Sequence, residues 1–416
     1  MRVLFVHQGF PGQFAHLAPA LAARGDTVVA LTQTAGTPRL PGVALVHAAP
    51  VYEAGARHPW ARHAEAMTMR AEAALRGALT LRAEGFVPDA IVAHGAWGDA
   101  LLLKDVWPAA PLGLYCEHFL PPRCAPPFAP EFAQSDAPEA RRGFDKMKSI
   151  AQALLIDVAS AGMAPTRFQR ETYPLRFRER IAVIHDGIDT DRVVPRAGAA
   201  IRFSDGRTLT AGDEVVVYIA RHLEPARGYD VFVRALPALL RARPRAQVVI
   251  VGAETGGYGE PPPAGTWRAH FERETGPFDP ARVHLVGTLG YATYLDLLAI
   301  ARLRIYLTHP TVLSWSVLEG MAAGVPTLAS DVAPVREAIV DGRTGMLFPY
   351  SDGDALVARA CAMLEDAGLR ARLAANGRRH VVDTYDLRRI CLPRQFDWID
   401  RLAASDPLPP VMEDGL

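Results

Sequence analysis

Recurring short apolar runs separated by helical patterns constrain this chain more than any other feature. Arg2-Val-Leu-Phe-Val-His7, Thr27 to Leu31, Val43 to His47, Ala90 to Ala93 and Pro111 to Cys116 each read as a buried strand. Phe14 to Arg24, ending at Gly25, and Arg62 to Glu84 carry apolar residues at helical spacing between them. The second half repeats the pattern. Glu214 to Ala220 leads to a helix from Tyr229 to Arg241, then to the strand Gln247-Val-Val-Ile-Val-Gly252. Arg282 to Gly290 and Leu303 to Leu307 follow, and the alternation runs on to Phe348. The expectation is an α/β chain with two similar doubly wound sheets. With 416 residues, the chain is too long for one compact core and suits two domains of about 200 residues each. Further helical patterns run from Asp352 to Glu365, Leu369 to Tyr385 and Leu387 to Leu402, and a frayed tail begins at Asp406.

Composition excludes several function classes. Lysine plus arginine balance aspartate plus glutamate at 45 each, so no basic stripe marks a nucleic-acid binder. No apolar run approaches the roughly 20 residues that span a bilayer. The chain enters its first strand at Arg2, and His7 and Gln8 interrupt any signal-peptide core. Cys116, Cys124, Cys361 and Cys391 lack zinc-type spacing, which predicts reduced thiols, a cytoplasmic setting and no metal.

The chemistry concentrates in Thr308-His-Pro-Thr-Val-Leu-Ser-Trp-Ser-Val-Leu-Glu-Gly-Met-Ala-Ala-Gly-Val-Pro-Thr-Leu-Ala-Ser330. An apolar run broken by Arg304 precedes it. A short loop then enters a helix near Ser316 that closes at Gly324, and Pro326 opens the next strand. Strand, loop and helix in this order aim backbone N–H groups at an anion, so Ser314, Trp315, Ser316 and Val317 are candidate phosphate contacts. The same residues also admit a purely structural account, because Ser316-Val-Leu-Glu319 fits a capping box.

Other strand ends add candidates. Gly9-x-x-Gly12 is a glycine turn feeding a helix, without the three-glycine dinucleotide spacing. His94 and Trp97 follow one strand and Glu117-His118 another, where ligands bind in open α/β sheets. The proline-dense segment Phe119 to Pro130 is an irregular loop suited to an acceptor contact or to a plain connector. Ala137 to Leu154 reads as a helix with Arg141, Arg142, Lys146 and Lys148 on a solvated face. Arg221 and Arg227 follow a strand and face a helix start, which suits a leaving diphosphate.

Leu318-Glu-Gly-Met-Ala-Ala-Gly-Val-Pro-Thr-Leu-Ala-Ser330, then Pro334-Val-Arg-Glu337 and Asp341-Gly-Arg-Thr-Gly-Met-Leu-Phe348, resemble the donor half of retaining glycosyltransferases of family 4. Phe5-Val-His-Gln-Gly-Phe-Pro-Gly-Gln-Phe14 resembles the start of one branch of that family. The resemblance implies the GT-B fold, two Rossmann-like domains facing each other across a cleft. Residues 1–194 would bind the acceptor, 200–386 the nucleotide sugar, and 387–405 would form a helix, carrying Trp398, that returns to the first domain. It implies transfer of a sugar from a nucleotide-diphosphate sugar to an acceptor hydroxyl with retention, without a cofactor or an obligatory metal.

Residue by residue, the resemblance puts the loop at Gly12 against the donor, Leu289 at the nucleobase and Glu319 at the ribose. Glu117 or His118 would touch the transferred sugar, and Arg221 and Arg227 the diphosphate. Asp189-Thr-Asp191, which looks like a metal-chelating pair, falls in the family's own turn and reads as a cap. Two departures stand out. The first of the family's two donor-site glutamates falls at Thr311, with Val312-Leu-Ser-Trp-Ser316 beside it as a branch feature. The second cation is Arg227, one residue later than the common pattern. Base, sugar and oligomeric state stay open, and the acceptor is a saccharide, a lipid-linked sugar or a small-molecule product. A nucleotide-sugar epimerase, a phosphorylase, or a non-catalytic binder of nucleotide sugar remain as alternatives on the same fold.

Overall fold

The computed structural model describes residues 1–51, 58, 60–119, 143, 146–257 and 261–406. By their contacts these fall into two units. The first holds 1–119, 143, 146–187 and 387–406, and the second holds 188–257 and 261–386.

The first unit is built on β1 (Arg2–Val6), β2 (Thr27–Thr32), β3 (Val43–His47), β4 (Ala90–His94), β5 (Leu112–Tyr115), β6 (Ala161–Ala164) and β7 (Ile181–Val183). They form one sheet in the order β3-β2-β1-β4-β5-β6-β7, parallel throughout. Every residue of β4 and β5 is buried, as a parallel sheet covered on both faces requires. One face packs under helix Ala61–Ala83, with Ala74, Ala78 and Leu81 in the core alongside Trp107, Tyr173 and Phe177.

The other face takes helix Leu17–Arg24 and the last helix, Leu392–Ala404. That last helix docks through Trp398, Ile399 and Leu402, all buried, and such side chains contribute about 1.5–3 kcal/mol each. Gly113 in β5 makes the docking possible, because a Cβ there would lie 2.4 Å from Trp398 Cη2. The Trp398 indole N–H donates to the Gly162 carbonyl at 3.1 Å, so the ring is buried without an orphaned donor.

The second unit contains a small antiparallel pair, β8 (Ala200–Arg202) with β9 (Thr208–Thr210), and a second parallel sheet. Its strands are β10 (Glu214–His222), β11 (Ala246–Ala253), β12 (Val283–Leu285), β13 (Leu303–Tyr306), β14 (Thr327–Ser330) and β15 (Met346–Phe348). Their order is β12-β11-β10-β13-β14-β15. Helices Tyr229–Ala242, Trp267–Thr275 and Gly353–Glu365 cover one face. Helices Tyr291–Ile300, Trp315–Ala322 and Ala367–Tyr385 line the other. Each unit is therefore Rossmann-like, a doubly wound parallel sheet with helices on both faces.

Several sequence-based bounds shift. The helix expected to end at Leu154 continues to Val158 as Ile150–Val158, while 137–142 lie outside the described residues, with most of the proline-dense segment and Cys124. The final helical pattern opens with a π turn, Leu387–Cys391, before Leu392. Cys116 and Cys361 are free thiols. Among the described residues no helix is long and apolar enough to cross a membrane.

Candidate active site

In a doubly wound sheet, neighbouring strands whose crossovers run in opposite directions leave a crevice at their C-terminal ends. Here that switch falls between β1 and β4 in the first unit, and between β10 and β13 in the second. The sequence candidates gather at these two places.

At the first, the turn after β1 carries His7 and Gln13, β4 ends on His94, and Glu117 follows β5. The Gly9 amide donates to His7 Nδ1 at 3.0 Å, so the ring proton belongs on Nε2, which lies 3.1 Å from Gln13 Oε1. The Gln13 amide nitrogen then donates to Glu117 Oε1 at 3.1 Å. His94 is oriented the same way. Ala96 N–H donates to its Nδ1 at 3.3 Å, and its Nε2 faces Glu117 Oε2 at 3.3 Å. Glu117 Oε1 thus accepts from Gln13 while Oε2 faces His94, and the carboxylate is 32% exposed while His94 is fully buried.

Trp97 stacks on His94 at 5.5 Å, and Tyr115 stacks on it at 5.5 Å. Burial works against ionising Glu117, but the hydrogen bond and charge from His94 outweigh it and hold the carboxyl below its usual range. Burial, with the His94 charge, pushes His7 down to about 3. Fully buried Asp99, beside His94, is pushed up to about 6 by burial. The arrangement is an ionised carboxylate near the neutral His7 imidazole, able to accept a hydrogen bond from a hydroxyl. Gly12 is exposed and opens the turn Gly12–Phe14 that carries Gln13.

His118 does not join this network. Its ring stacks on Phe168 at 6.3 Å and its carbonyl accepts from Gln152. Burial pushes it down to about 4.

At the second switch point, Arg221 lies near the end of β10 and is exposed, and half-buried Arg227 closes the turn Pro225–Arg227. Gly228 follows at φ 69°, where a Cβ would meet Leu307 Cβ at 2.4 Å. Only glycine lets this loop cross the end of β13. The loop is tied to its neighbour: His309 N–H donates to Ala226 O at 3.2 Å, and the Tyr350 hydroxyl donates to Pro225 O at 3.1 Å.

Helix Trp315–Ala322 starts beside this loop, but not as a capping box. Ser314 is the N-cap, its hydroxyl accepting from Ser316 N at 3.3 Å. Glu319 turns away from the cap because two tyrosines of helix Tyr291–Ile300 take its carboxylate. Tyr291 Oη donates to Oε1 at 2.7 Å and Tyr294 Oη to Oε2 at 2.9 Å. The amides at the helix start make internal bonds in this structure. Ser314 N donates to Tyr306 Oη, Ser316 N to Ser314 Oγ and Val317 N to Ser314 O, all at 3.2–3.3 Å. These are long bonds, at the weak end of the range.

Beneath the helix start lies Arg304, fully buried in β13. Its guanidinium donates to the Ser316 carbonyl and, at 2.9 Å, to Ser316 Oγ. Leu289 is half-buried just before Gly290, the N-cap of helix Tyr291–Ile300. Exposed Thr311 donates its N–H to His309 O at 2.8 Å. Asp189 caps a turn, accepting from Arg192 N at 3.2 Å. Among the described residues no three His, Cys, Asp or Glu side chains converge as a metal site.

Sequence reading did not single out His7, Gln13, Tyr291 or Tyr294. Arg304 had left a trace, a charge inside an apolar run, but its partner was not readable.

Comparison with known proteins agrees with this geometry. Residues 24–193 match the glycosyl transferase family 4 group, and 202–380 match glycosyl transferases group 1. A GDP-mannose-dependent α-(1-6)-phosphatidylinositol monomannoside mannosyltransferase of Mycolicibacterium smegmatis is 28% identical over 54% of this chain and 58% of the relative. A D-inositol 3-phosphate glycosyltransferase of Streptomyces avermitilis is 27% identical over 60% of this chain and 52% of its own. The chain thus spans a little over half the length of these curated relatives. The crystal structure of Anabaena HepE in complex with UDP-glucose superposes with a TM-score of 0.69 at 16% identity, covering 96% of this chain and 99% of HepE. The family 4 group matched in the first half, group 1 in the second and the two Rossmann-like units of the fold together support a GT-B glycosyltransferase of family 4.

Proposed function

We propose that this chain transfers a sugar from a nucleotide-diphosphate sugar to an acceptor hydroxyl with retention at the anomeric carbon. The second unit would hold the donor and the first the acceptor. One observation carries the reading: Arg221 at the end of β10 and Arg227 just beyond it flank a loop whose Ala226 carbonyl accepts from His309 N–H in the loop that follows β13 and leads to helix Trp315–Ala322. That is where a doubly wound sheet binds nucleotides, and guanidinium charge there suits a departing diphosphate.

In the proposed reaction the bond between the anomeric carbon and the diphosphate oxygen breaks, and Arg221 and Arg227 neutralise the charge that develops on that oxygen. The acceptor oxygen attacks from the same face, and its proton passes to the departing phosphate. Glu117 would orient the reacting hydroxyls. The amides of Ser314, Ser316 and Val317 would exchange their long internal bonds for phosphate, and Trp315 would flank the site. Glu319 would take the ribose and the backbone at Leu289 the base. The run Val312 to Ser316 with Leu318-Glu-Gly-Met-Ala-Ala-Gly324 is read as a branch motif that replaces the two-glutamate pattern. Arginine charge takes the place of a metal in this scheme, which is set in the cytoplasm. The GDP-mannose of the Mycolicibacterium smegmatis relative and the UDP-glucose held by HepE support a nucleotide-sugar donor.

A panel of UDP-, GDP- and ADP-sugars tests the reading by thermal shift, since a bound donor raises the melting temperature. The best binder is then incubated with saccharide, inositol and lipid-linked acceptors, and NMR reads the anomer formed. A retained anomer is the expected product. Epimerised donor without acceptor, or turnover only with free phosphate, replaces the transferase by an epimerase or a phosphorylase. Binding without hydrolysis or transfer leaves a non-catalytic binder.

A further inference from the structure

Glu319 is held more tightly than a ligand-binding carboxylate on a helix needs for folding alone. Tyr291 Oη reaches Oε1 at 2.7 Å and Tyr294 Oη reaches Oε2 at 2.9 Å, one hydroxyl on each oxygen. A carboxylate has about four acceptor sites, two on each oxygen, so one site per oxygen stays open. The open sites lie in the carboxylate plane, one on each oxygen. A vicinal diol offers two O–H donors that match it, and a single hydroxyl does not.

The tyrosines are themselves fixed. Tyr294 is 8% exposed and also lies 3.5 Å from the Ser316 carbonyl that Arg304 holds. Tyr291 is 38% exposed, and the Arg192 guanidinium stands 4.4 Å from its ring centroid. Burial, with the adjacent Glu319 charge, keeps Tyr291 protonated far above its ordinary range, so its hydroxyl only donates to the carboxylate.

The geometry points to Tyr291 and Tyr294 as positioning residues that pre-set the Glu319 carboxylate for the vicinal diol of a ribonucleotide, making the site selective for ribose over 2′-deoxyribose. This rests on the reading above that Glu319 meets the ribose.

Isothermal titration of the whole chain with UDP, GDP and ADP and their 2′-deoxy counterparts tests it. Wild type favours the ribonucleotide. Tyr294→Phe weakens it about tenfold and Tyr291→Phe about three- to fivefold, in line with lost hydrogen bonds to a charged group. Both leave the deoxynucleotide within about twofold, so the ribose-to-deoxyribose ratio shrinks. In a Glu319→Gln background neither tyrosine change has a further effect. A purely structural role would lower both affinities alike, and melting temperatures show that each variant folds. If Glu319→Gln collapses the ratio while both tyrosine variants keep it, the positioning role is wrong and the ribose reading stands. If Glu319→Gln leaves the ratio intact, the ribose reading itself fails. If none of the three nucleotides binds wild type, both fall together.

Discussion

The two units share a topology and differ in what it presents. Each sheet reverses its winding between two central strands, and each gathers polar side chains at the C-terminal ends of that pair. In the first unit those side chains are His7, Gln13, His94 and Glu117, joined into a chain in which the Glu117 carboxylate is held in charged form and His7 is held neutral. In the second they are Arg221, Arg227 and a helix start, whose own carboxylate, Glu319, is already clasped by tyrosine hydroxyls. Topology fixes where a ligand sits, and side-chain charge fixes which. The second place suits a diphosphate. The first repels one and suits a neutral hydroxyl.

The sharpest way to break this contrast is to remove the cation. A guanidinium–phosphate hydrogen bond is worth about 1.5–3 kcal/mol, so Arg227→Ala should slow turnover about ten- to two-hundred-fold. Arg227→Lys should recover part of that, and the melting temperature should barely move. Steady-state rates near wild type would remove the donor role from this loop. In the first unit, Glu117→Gln keeps shape and removes charge. It should lower acceptor-dependent kcat/KM about ten- to thirtyfold and leave affinity for UDP or GDP unchanged. Equal loss of nucleotide affinity would mean that the two places are not divided between acceptor and donor.

The contrast was half readable before any coordinates. Strands such as β1 and β11 announced themselves because burial on both faces demands unbroken apolar sequence. β6 did not, because Ala161-Gly-Met-Ala164 uses small residues where the sheet is tight. β8 and β9 are too short to show a period, each burying only its middle residue. At the sites, strand ends and glycine turns located the loops, which is why His94, Glu117, Arg221 and Arg227 could be named as candidates. Partners were another matter. A capping box is local arithmetic between Ser316 and Glu319, and it cannot register Tyr291, which comes from another helix. The helix start was placed nearly right for the wrong reason: Ser314, not Ser316, caps it.

Acid should also separate the two places, by a smaller amount. His7 is pushed down to about 3 when folded, below the ordinary 6.5. The unfolded chain then binds that proton first, so the stability is complete above about pH 6.5 and is lost as pH falls toward 3. Between pH 7 and pH 5.5 this one imidazole costs about 1 kcal/mol. His185, near 3, and His118, near 4, act in the same direction. Asp99, raised to about 6, opposes them, since its burial costs stability above about pH 6 and is relieved by acid. His7→Gln should therefore flatten the fall of melting temperature between pH 7 and pH 5.5. An unchanged slope would mean that the first unit's imidazole is not held neutral.

The smallest effect bears on how the second unit manages anionic charge. Asp189 and Asp191 have the spacing of a chelating pair, and a metal held there would offer the diphosphate a different partner from arginine. In the structure Asp189 instead accepts from Arg192 N at 3.2 Å, and the side chain between the two carboxylates, Thr190, is hydrogen-bonded to buried Asp386. That is turn chemistry, and losing a cap of this kind costs about 0.5–1 kcal/mol. Asp189→Ala should lower the melting temperature by a few degrees at most, about 2–4 °C per kcal/mol for a chain of this size or larger. It should leave turnover, and the response of turnover to added Mg²⁺ or Mn²⁺, as in wild type. Were the same change to abolish activity and restore it at high metal concentration, the second switch point would work through a cation bound by carboxylates. The arginines would then be secondary, and the division of charge between the units would have to be drawn again.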